Sequence, residues 1–305
     1  MLVDRYGRPL KSLRVSVTSR CNFSCIYCHN EGFAKSLVTE LSVEQYDIVA
    51  RACRILGIEN VKLTGGEPLI RNDIVEIVKV FSDNVKEVSM TTNGYYLEEL
   101  ANRLASAGLK RVCISVPSLN KALYSEITGV NGLEKVLRGI KAAYEADLTP
   151  ITFNVVVLKW FNLNELLEMI NLASKYEAKI RLIELEPIGI PIETFSKLHK
   201  PLDEFIEFLN VKAVRKYIRE LHARPVYVLD NGIEVEIVSW FGNAKFCRYC
   251  DRVRLSPDGK IKPCIARKDY VDLLECLSLK SDEAIECTIE KFKLANSLRE
   301  PFYKY

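Results

Sequence analysis

The stretch Cys21-Asn22-Phe23-Ser24-Cys25-Ile26-Tyr27-Cys28 decides how the rest of the chain is read. Its C-x3-C-x2-C cysteines follow directly on Leu13-Arg14-Val15-Ser16-Val17, whose alternation predicts a strand, so they fall on a loop at that strand's C-terminal end. Three thiolates on one short loop can each take one iron of a [4Fe-4S] cube, leaving the fourth iron open for chemistry. A zinc site would have to recruit His29, and ligands as close as Cys28 and His29 would strain a tetrahedron. A disulfide framework needs even pairing and an oxidising compartment. The spacing therefore favours the cube and leaves His29 a structural role.

Outward from this loop the pattern repeats. Ser42 caps a helix over Val43–Leu56 that stops at Gly57. Val61-Lys62-Leu63-Thr64 is then a strand running into Gly65-Gly66-Glu67-Pro68, with a helix over 73–81. Strands at 85–91, 111–116, 151–158 and 179–185 alternate with helices at 97–107, 132–146 and 164–176. Six βα-type units with near-continuous apolar strands indicate a parallel sheet covered by helices. Repeated right-handed crossovers would curl it into an incomplete (β/α)6 barrel of the TIM type. The cysteine loop, the Gly-Gly-Glu-Pro turn and Thr91-Thr92-Asn93-Gly94 then share the C-terminal face, where such barrels place their chemistry.

After Glu186-Pro187 the alternation stops. The expected organisation is a barrel over 1–187 and a C-terminal module over 188–305, with a linker at Pro187, Pro191 and Pro201 and an amphipathic helix over 202–221. Two antiparallel hairpins should follow, through Asp230-Asn231-Gly232 and Pro257-Asp258-Gly259, and a closing helix near 282–298. With 305 residues, 48% of them hydrophobic, the chain can bury a large core. A net charge of +3 gives no reason to invoke nucleic acid or membrane. Residues 1–10 are polar without an apolar signal core, which makes cytoplasmic location the default.

Ten cysteines suit metal ligation better than disulfides in such a chain. Cys53, Cys113, Cys276 and Cys287 are scattered and read as small buried hydrophobes. A second group, Cys247-Arg248-Tyr249-Cys250 with Cys264 thirteen residues later, offers three ligands again. A fourth thiolate from Cys276 or Cys287 would close it, and cysteine spacing alone suits structural zinc and iron-sulfur equally. Arg252 and Arg254, two apart on a strand, point to one face, and paired guanidiniums suit phosphate oxygens; the lesser alternative is that they are exposed or paired with Asp251 and Asp258.

The first loop resembles that of the radical S-adenosylmethionine (SAM) enzymes, whose cube binds SAM and splits it to a 5′-deoxyadenosyl radical. With residues 13–18, 63–69, 91–94, 246–259 and Cys264 added, the chain resembles the GTP 3′,8-cyclase family of molybdenum cofactor biosynthesis, in order to about residue 270. The resemblance implies a lyase that joins the GTP ribose 3′ carbon to guanine C8, giving (8S)-3′,8-cyclo-7,8-dihydroguanosine 5′-triphosphate. It implies two [4Fe-4S] clusters, one on Cys21, Cys25 and Cys28 for SAM and one on Cys247, Cys250 and Cys264 for the substrate purine. Tyr27, Gly66 and Ser115 would contact SAM, and Arg14, Lys62, Thr91, Arg181, Arg252, Val253 and Arg254 would face GTP. Implied partners are a downstream cyclic pyranopterin monophosphate synthase and an electron donor such as ferredoxin or flavodoxin, with a homodimer allowed. No side chain is expected to act as acid or base.

The chain departs from the family pattern at several positions. Thr152 stands where a phosphate-binding lysine is common, Glu186 where a SAM-contacting methionine is, and Lys62 where arginine is frequent. Ser115-Val116-Pro117 replaces Ser-Leu-Asp, and Pro301-Phe302-Tyr303-Lys304-Tyr305 stands in place of the usual Gly-Gly tail. Two rival readings are a radical SAM maturase with an auxiliary cluster acting on a peptide or tetrapyrrole, and a zinc-stabilised binding protein.

Overall fold

The computed structural model describes residues 1–33 and 39–303; Lys304 and Tyr305 of the tail lie outside the described residues. Along the chain run β1 (Ser12–Ser16), α1 (Val43–Leu56), β2 (Asn60–Thr64), α2 (Ile74–Ser82), β3 (Glu87–Thr92), α3 (Leu97–Ser106) and β4 (Arg111–Ser115). Then come α4 (Lys121–Thr128), α5 (Leu133–Glu145), β5 (Thr152–Val157), α6 (Leu163–Lys175) and β6 (Lys179–Glu184). The remainder comprises α7 (Ile192–Leu198), α8 (Asp203–Lys212), β7 (Ala213–Arg219), β8 (Arg224–Leu229), β9 (Glu234–Val238), α9 (Ala244–Arg248), β10 (Arg252–Leu255), β11 (Lys260–Lys262), β12 (Val271–Asp272), α10 (Leu274–Leu277) and α11 (Ser281–Ser297).

Local chemistry sets these boundaries. Ser42 and Gln45 form a capping box at the start of α1, and Gly57 ends it with φ +71°. Asn120 caps α4 by accepting from Ala122 and Leu123, a short helix not anticipated before α5. The linker expected after Pro187 holds α7. The helix expected over 202–221 stops at Lys212, and Ala213–Arg219 is strand β7 paired antiparallel to β8. Valine, tyrosine and isoleucine in AVRKYIR favour the extended form once β8 offers a partner.

The twelve strands form one sheet, ordered β12-β11-β10-β1-β2-β3-β4-β5-β6-β9-β8-β7, whose two ends do not meet. Strands β1 to β6 lie parallel in chain order. The two C-terminal hairpins exist but do not stack as a separate layer. Strand β9 extends the sheet parallel to β6, and β10 extends it parallel to β1 on the opposite side. Consequently Arg254 of β10 is the register partner of Arg14 on β1, which pairs in turn with Lys62 on β2.

The strands are not continuously apolar, as a sheet buried on both faces would require. Leu13 and Val15, Val61 and Leu63, Val88 and Met90, Val112 and Ile114, and Ile180 and Leu182 are buried in the core under the helices. By the period-two rule the intervening residues, Arg14, Lys62, Ser89, Thr91, Cys113, Asn154 and Arg181, share the opposite face. That face is polar because it lines a cavity. Among the described residues no helix is long and apolar enough to cross a membrane.

Candidate active site

The cysteine loop leaves β1 and is held by the turn after β2. Gly66 N–H donates to the Thr18 carbonyl at 2.8 Å and Glu67 N–H to the Arg20 carbonyl at 2.8 Å. A Cβ on Gly66 would meet the Arg20 carbonyl oxygen at 1.9 Å, so glycine is demanded by the cysteine loop's own backbone. Glu67 then ties the turn to the end of β3, accepting from Thr92 Oγ1 at 2.6 Å and Asn93 N–H at 2.6 Å. Burial pushes its carboxyl up to about 7, against those hydrogen bonds. Buried Arg71 donates to the Val17 carbonyl at 2.8 Å and the Leu41 carbonyl at 3.0 Å, fixing the loop's entry.

Cys21, Cys25 and Cys28 are free thiols that feel one another electrostatically. Burial pushes Cys21 up to about 11 and Cys25 up to about 12, so these two thiols stay protonated on the bare loop and need a strong Lewis acid to become ligands. His29 is half-buried, and its Nδ1 accepts from Glu31 N–H at 2.9 Å. That bond gives it the structural role expected.

Cys247, Cys250 and Cys264 are likewise free, and Cys264 feels the other two electrostatically. They come from α9, the turn after it, and the turn after β11. Cys276 and Cys287 bond to each other, joining α10 to α11, so neither supplies a fourth thiolate to this trio, and neither is a simple buried hydrophobe. Among the described residues no group of three His, Cys, Asp or Glu side chains is placed to hold a single metal ion. A cube makes a different demand, that each thiolate meet a different iron.

Two cavities open on the polar face. The smaller, about 190 Å³, is lined by Cys247, Cys250 and Cys264 together with Arg14, Lys62, Thr91, Arg181, Arg252 and Arg254. The larger, about 740 Å³, reaches past the N-terminal strand ends at Ser12, Asn60, Glu87 and Arg111. Arg14, Lys62, Arg181, Arg224, Cys250 and Arg252 line both, so the two share a wall. The second trio and the expected GTP-facing side chains are thus brought together. Val253 is the exception, being fully buried with Leu13 as its register partner, so only its main chain can face the cavity.

The first trio is not itself in either lining. Its loop reaches the small cavity through His29 and Glu31, while Tyr27, Gly66 and Ser115 stay outside it on the C-terminal side of the strands. Thr152 is buried and lines neither cavity. Glu186 does line the small one, and burial pushes its carboxyl up to about 8 in spite of Arg254.

Three further residues had no sequence signal pointing to them. Glu31 bridges the two arginines, 2.5 Å from Arg14 and 2.5 Å from Arg254, and also accepts from Thr64 Oγ1. Burial raises its carboxyl, but the two guanidiniums outweigh that and hold it at about 2. Glu236 on β9 gathers Arg181 at 2.5 Å and Arg219 and Arg224 at 3.1 Å. Cys113, expected to be an inert hydrophobe, lies 3.0 Å from Lys62 Nζ. Burial alone would raise its thiol, yet Lys62 and Arg181 bring it down to about 6, so it stands as a thiolate against the ammonium. Partners on β2 and β6, each two strands away, make that cysteine ionic.

The Radical SAM superfamily profile matches residues 15–173, and the Molybdenum Cofactor Synthesis C profile matches residues 178–304. SuiB of Streptococcus suis bound to S-adenosylmethionine shares the fold with a TM-score of 0.66, over 94% of this chain and 68% of that one, at 16% identity. AnSMEcpe with bound AdoMet shares it with a TM-score of 0.58, over 93% and 83% at 15% identity. The parallel sheet, the open three-thiol loop and the Gly-Gly-Glu-Pro turn define a radical SAM protein. A probable GTP 3′,8-cyclase of Thermococcus kodakarensis is 44% identical over the whole of both chains. One of Metallosphaera sedula is 41% identical over 100% of this chain and 97% of that protein. The chain belongs to the GTP 3′,8-cyclase family.

Proposed function

We propose that this protein is a radical SAM GTP 3′,8-cyclase of molybdenum cofactor biosynthesis. Its reading is an incomplete (β/α)6 barrel over 1–187 that binds SAM, with residues 188–305 completing the substrate side. The single observation that carries it is the small cavity, where three free thiols and a ring of arginine and lysine side chains meet. A purine needs one and a triphosphate the other.

In this reading Cys21, Cys25 and Cys28 hold the SAM cluster, with Tyr27, Gly66 and Ser115 around SAM. Cys247, Cys250 and Cys264 would hold a second [4Fe-4S] cluster for the substrate purine. When bound, the cluster and SAM would supply radical chemistry for abstracting the ribose 3′ hydrogen, with electrons from a donor such as ferredoxin or flavodoxin. The protein's own residues do the positioning. Arg14, Lys62, Arg181, Arg252 and Arg254 bind phosphates, Thr91 faces the nucleotide, and the buried walls exclude water. No side chain has to carry a proton for the hydrogen abstraction.

Separate variants of the two trios test the assignment. Cys25→Ala should abolish 5′-deoxyadenosine formation under anaerobic, reducing conditions. Cys250→Ala should leave SAM cleavage measurable while losing 3′,8-cyclo-7,8-dihydro-GTP by at least about a hundredfold. Full cyclisation by Cys250→Ala would contradict the second-cluster role.

A further inference from the structure

The positive charge around the cavities exceeds what the protein neutralises. Five guanidiniums, Arg14 and Arg254 on Glu31 and Arg181, Arg219 and Arg224 on Glu236, share two carboxylates. Among the other acids lining the larger cavity, Glu87 pairs with Arg111 at 2.5 Å and Glu220 with Lys11 at 3.8 Å, away from this cluster, while Asp251 stands 4.0 Å from Arg252. Strand β5 adds no cation, since Thr152 and Asn154 are neutral and Thr152 lines neither cavity.

Arg224 stands at the junction. Its residue is 8% exposed, it lines both cavities, and its Nε is buried without a hydrogen-bond acceptor although Glu236 Oε1 is 3.1 Å away. Arg14 and Arg252, on the same shared wall, also keep a buried Nε without an acceptor. A buried unsatisfied donor on a cation is costly, and an anion placed there relieves both the missing hydrogen bond and the repulsion. Burial and the neighbouring Arg181, Arg219 and Arg252 all disfavour charge on Arg224. Guanidinium keeps its proton in proteins, so the penalty persists as demand for a counter-anion.

We propose that Arg224, with Arg219 beside it on β7, binds the terminal phosphate of the nucleoside triphosphate and selects GTP over its mono- and diphosphate forms. The assignment rests on the cyclase reading. It uses the shared wall: with the base toward Cys250 in the smaller cavity, the phosphate chain runs past Lys62 and Arg181 into the larger one. Glu236 acts as the fixed bracket that orders the three guanidiniums.

The test is equilibrium binding of GTP, GDP and GMP to the anaerobically reconstituted holoprotein, for the wild type, Arg219→Gln, Arg224→Gln and Arg224→Lys. The wild type should bind GTP more tightly than GMP. In Arg224→Gln the Kd for GTP should rise by about tenfold or more while that for GMP changes by less than about twofold, and Arg224→Lys should recover part of the preference. Arg219 is partly exposed, so Arg219→Gln keeps the question open to measurement should Arg224→Gln fail to fold; it should lower GTP affinity selectively by about threefold or more. Equal weakening of GTP and GMP, or none, would overturn the phosphate assignment alone. A wild type that binds no GTP would overturn it together with the cyclase reading.

Discussion

Glu31 occupies the place where substrate phosphates are expected, its carboxylate lying on Arg14 and Arg254. Removing one partner of a buried ionic group leaves the others uncompensated, so Glu31→Gln should lower the stability of the nucleotide-free protein by about 3 kcal/mol. GTP should restore more of the thermal midpoint in the variant than in the wild type. Equal shifts would show that nucleotide and carboxylate do not share these arginines. Glu186 makes the opposite case. Its folded pKa of about 8 lies above the ordinary value of 4.5, so its ionisation costs little at pH 5.5 and most above pH 8. Glu186→Gln should therefore stabilise the fold on the order of 2 kcal/mol at pH 8.5 and have little effect at pH 5.5. A gain that does not grow with pH would contradict the burial of that acid. At this scale the motif residues were legible because spacing alone marks them. Glu31, Glu236 and Cys113 were not, since each is defined by charges from strands far apart in sequence.

The Gly-Gly-Glu-Pro turn shows how elements build the site. Because a Cβ on Gly66 would press on the Arg20 carbonyl, Gly66→Ala should displace the cysteine loop and spare the second trio across the sheet. Iron after anaerobic reconstitution should fall from about eight to about four per chain. Retention of all eight would show that the turn does not support the loop. The bond between Cys276 and Cys287 should be independent of iron. Replacing both by serine should cost about 2–3 kcal/mol for an 11-residue separation and leave the iron content unchanged. The βα repeat was legible because capped helices and strand runs alternate at short range. Strand β7 was missed because its identity depends on pairing with β8, and the polar inner face was hidden by reading apolar content in place of alternation.

Across the whole molecule, the C-terminal hairpins extend both ends of the parallel sheet. That wrapping sets Arg252 and Arg254 beside Arg14 and brings Glu236 against Arg181. A separate appended layer could not have put cations from both halves around one cavity. The most direct measurement of the central claim uses GTP deuterated at the ribose 3′ position, incubated anaerobically with the protein, SAM and dithionite. The deuterium should appear in 5′-deoxyadenosine while the nucleotide becomes 3′,8-cyclised. 5′-Deoxyadenosine free of deuterium, with the label kept in GTP, would contradict it.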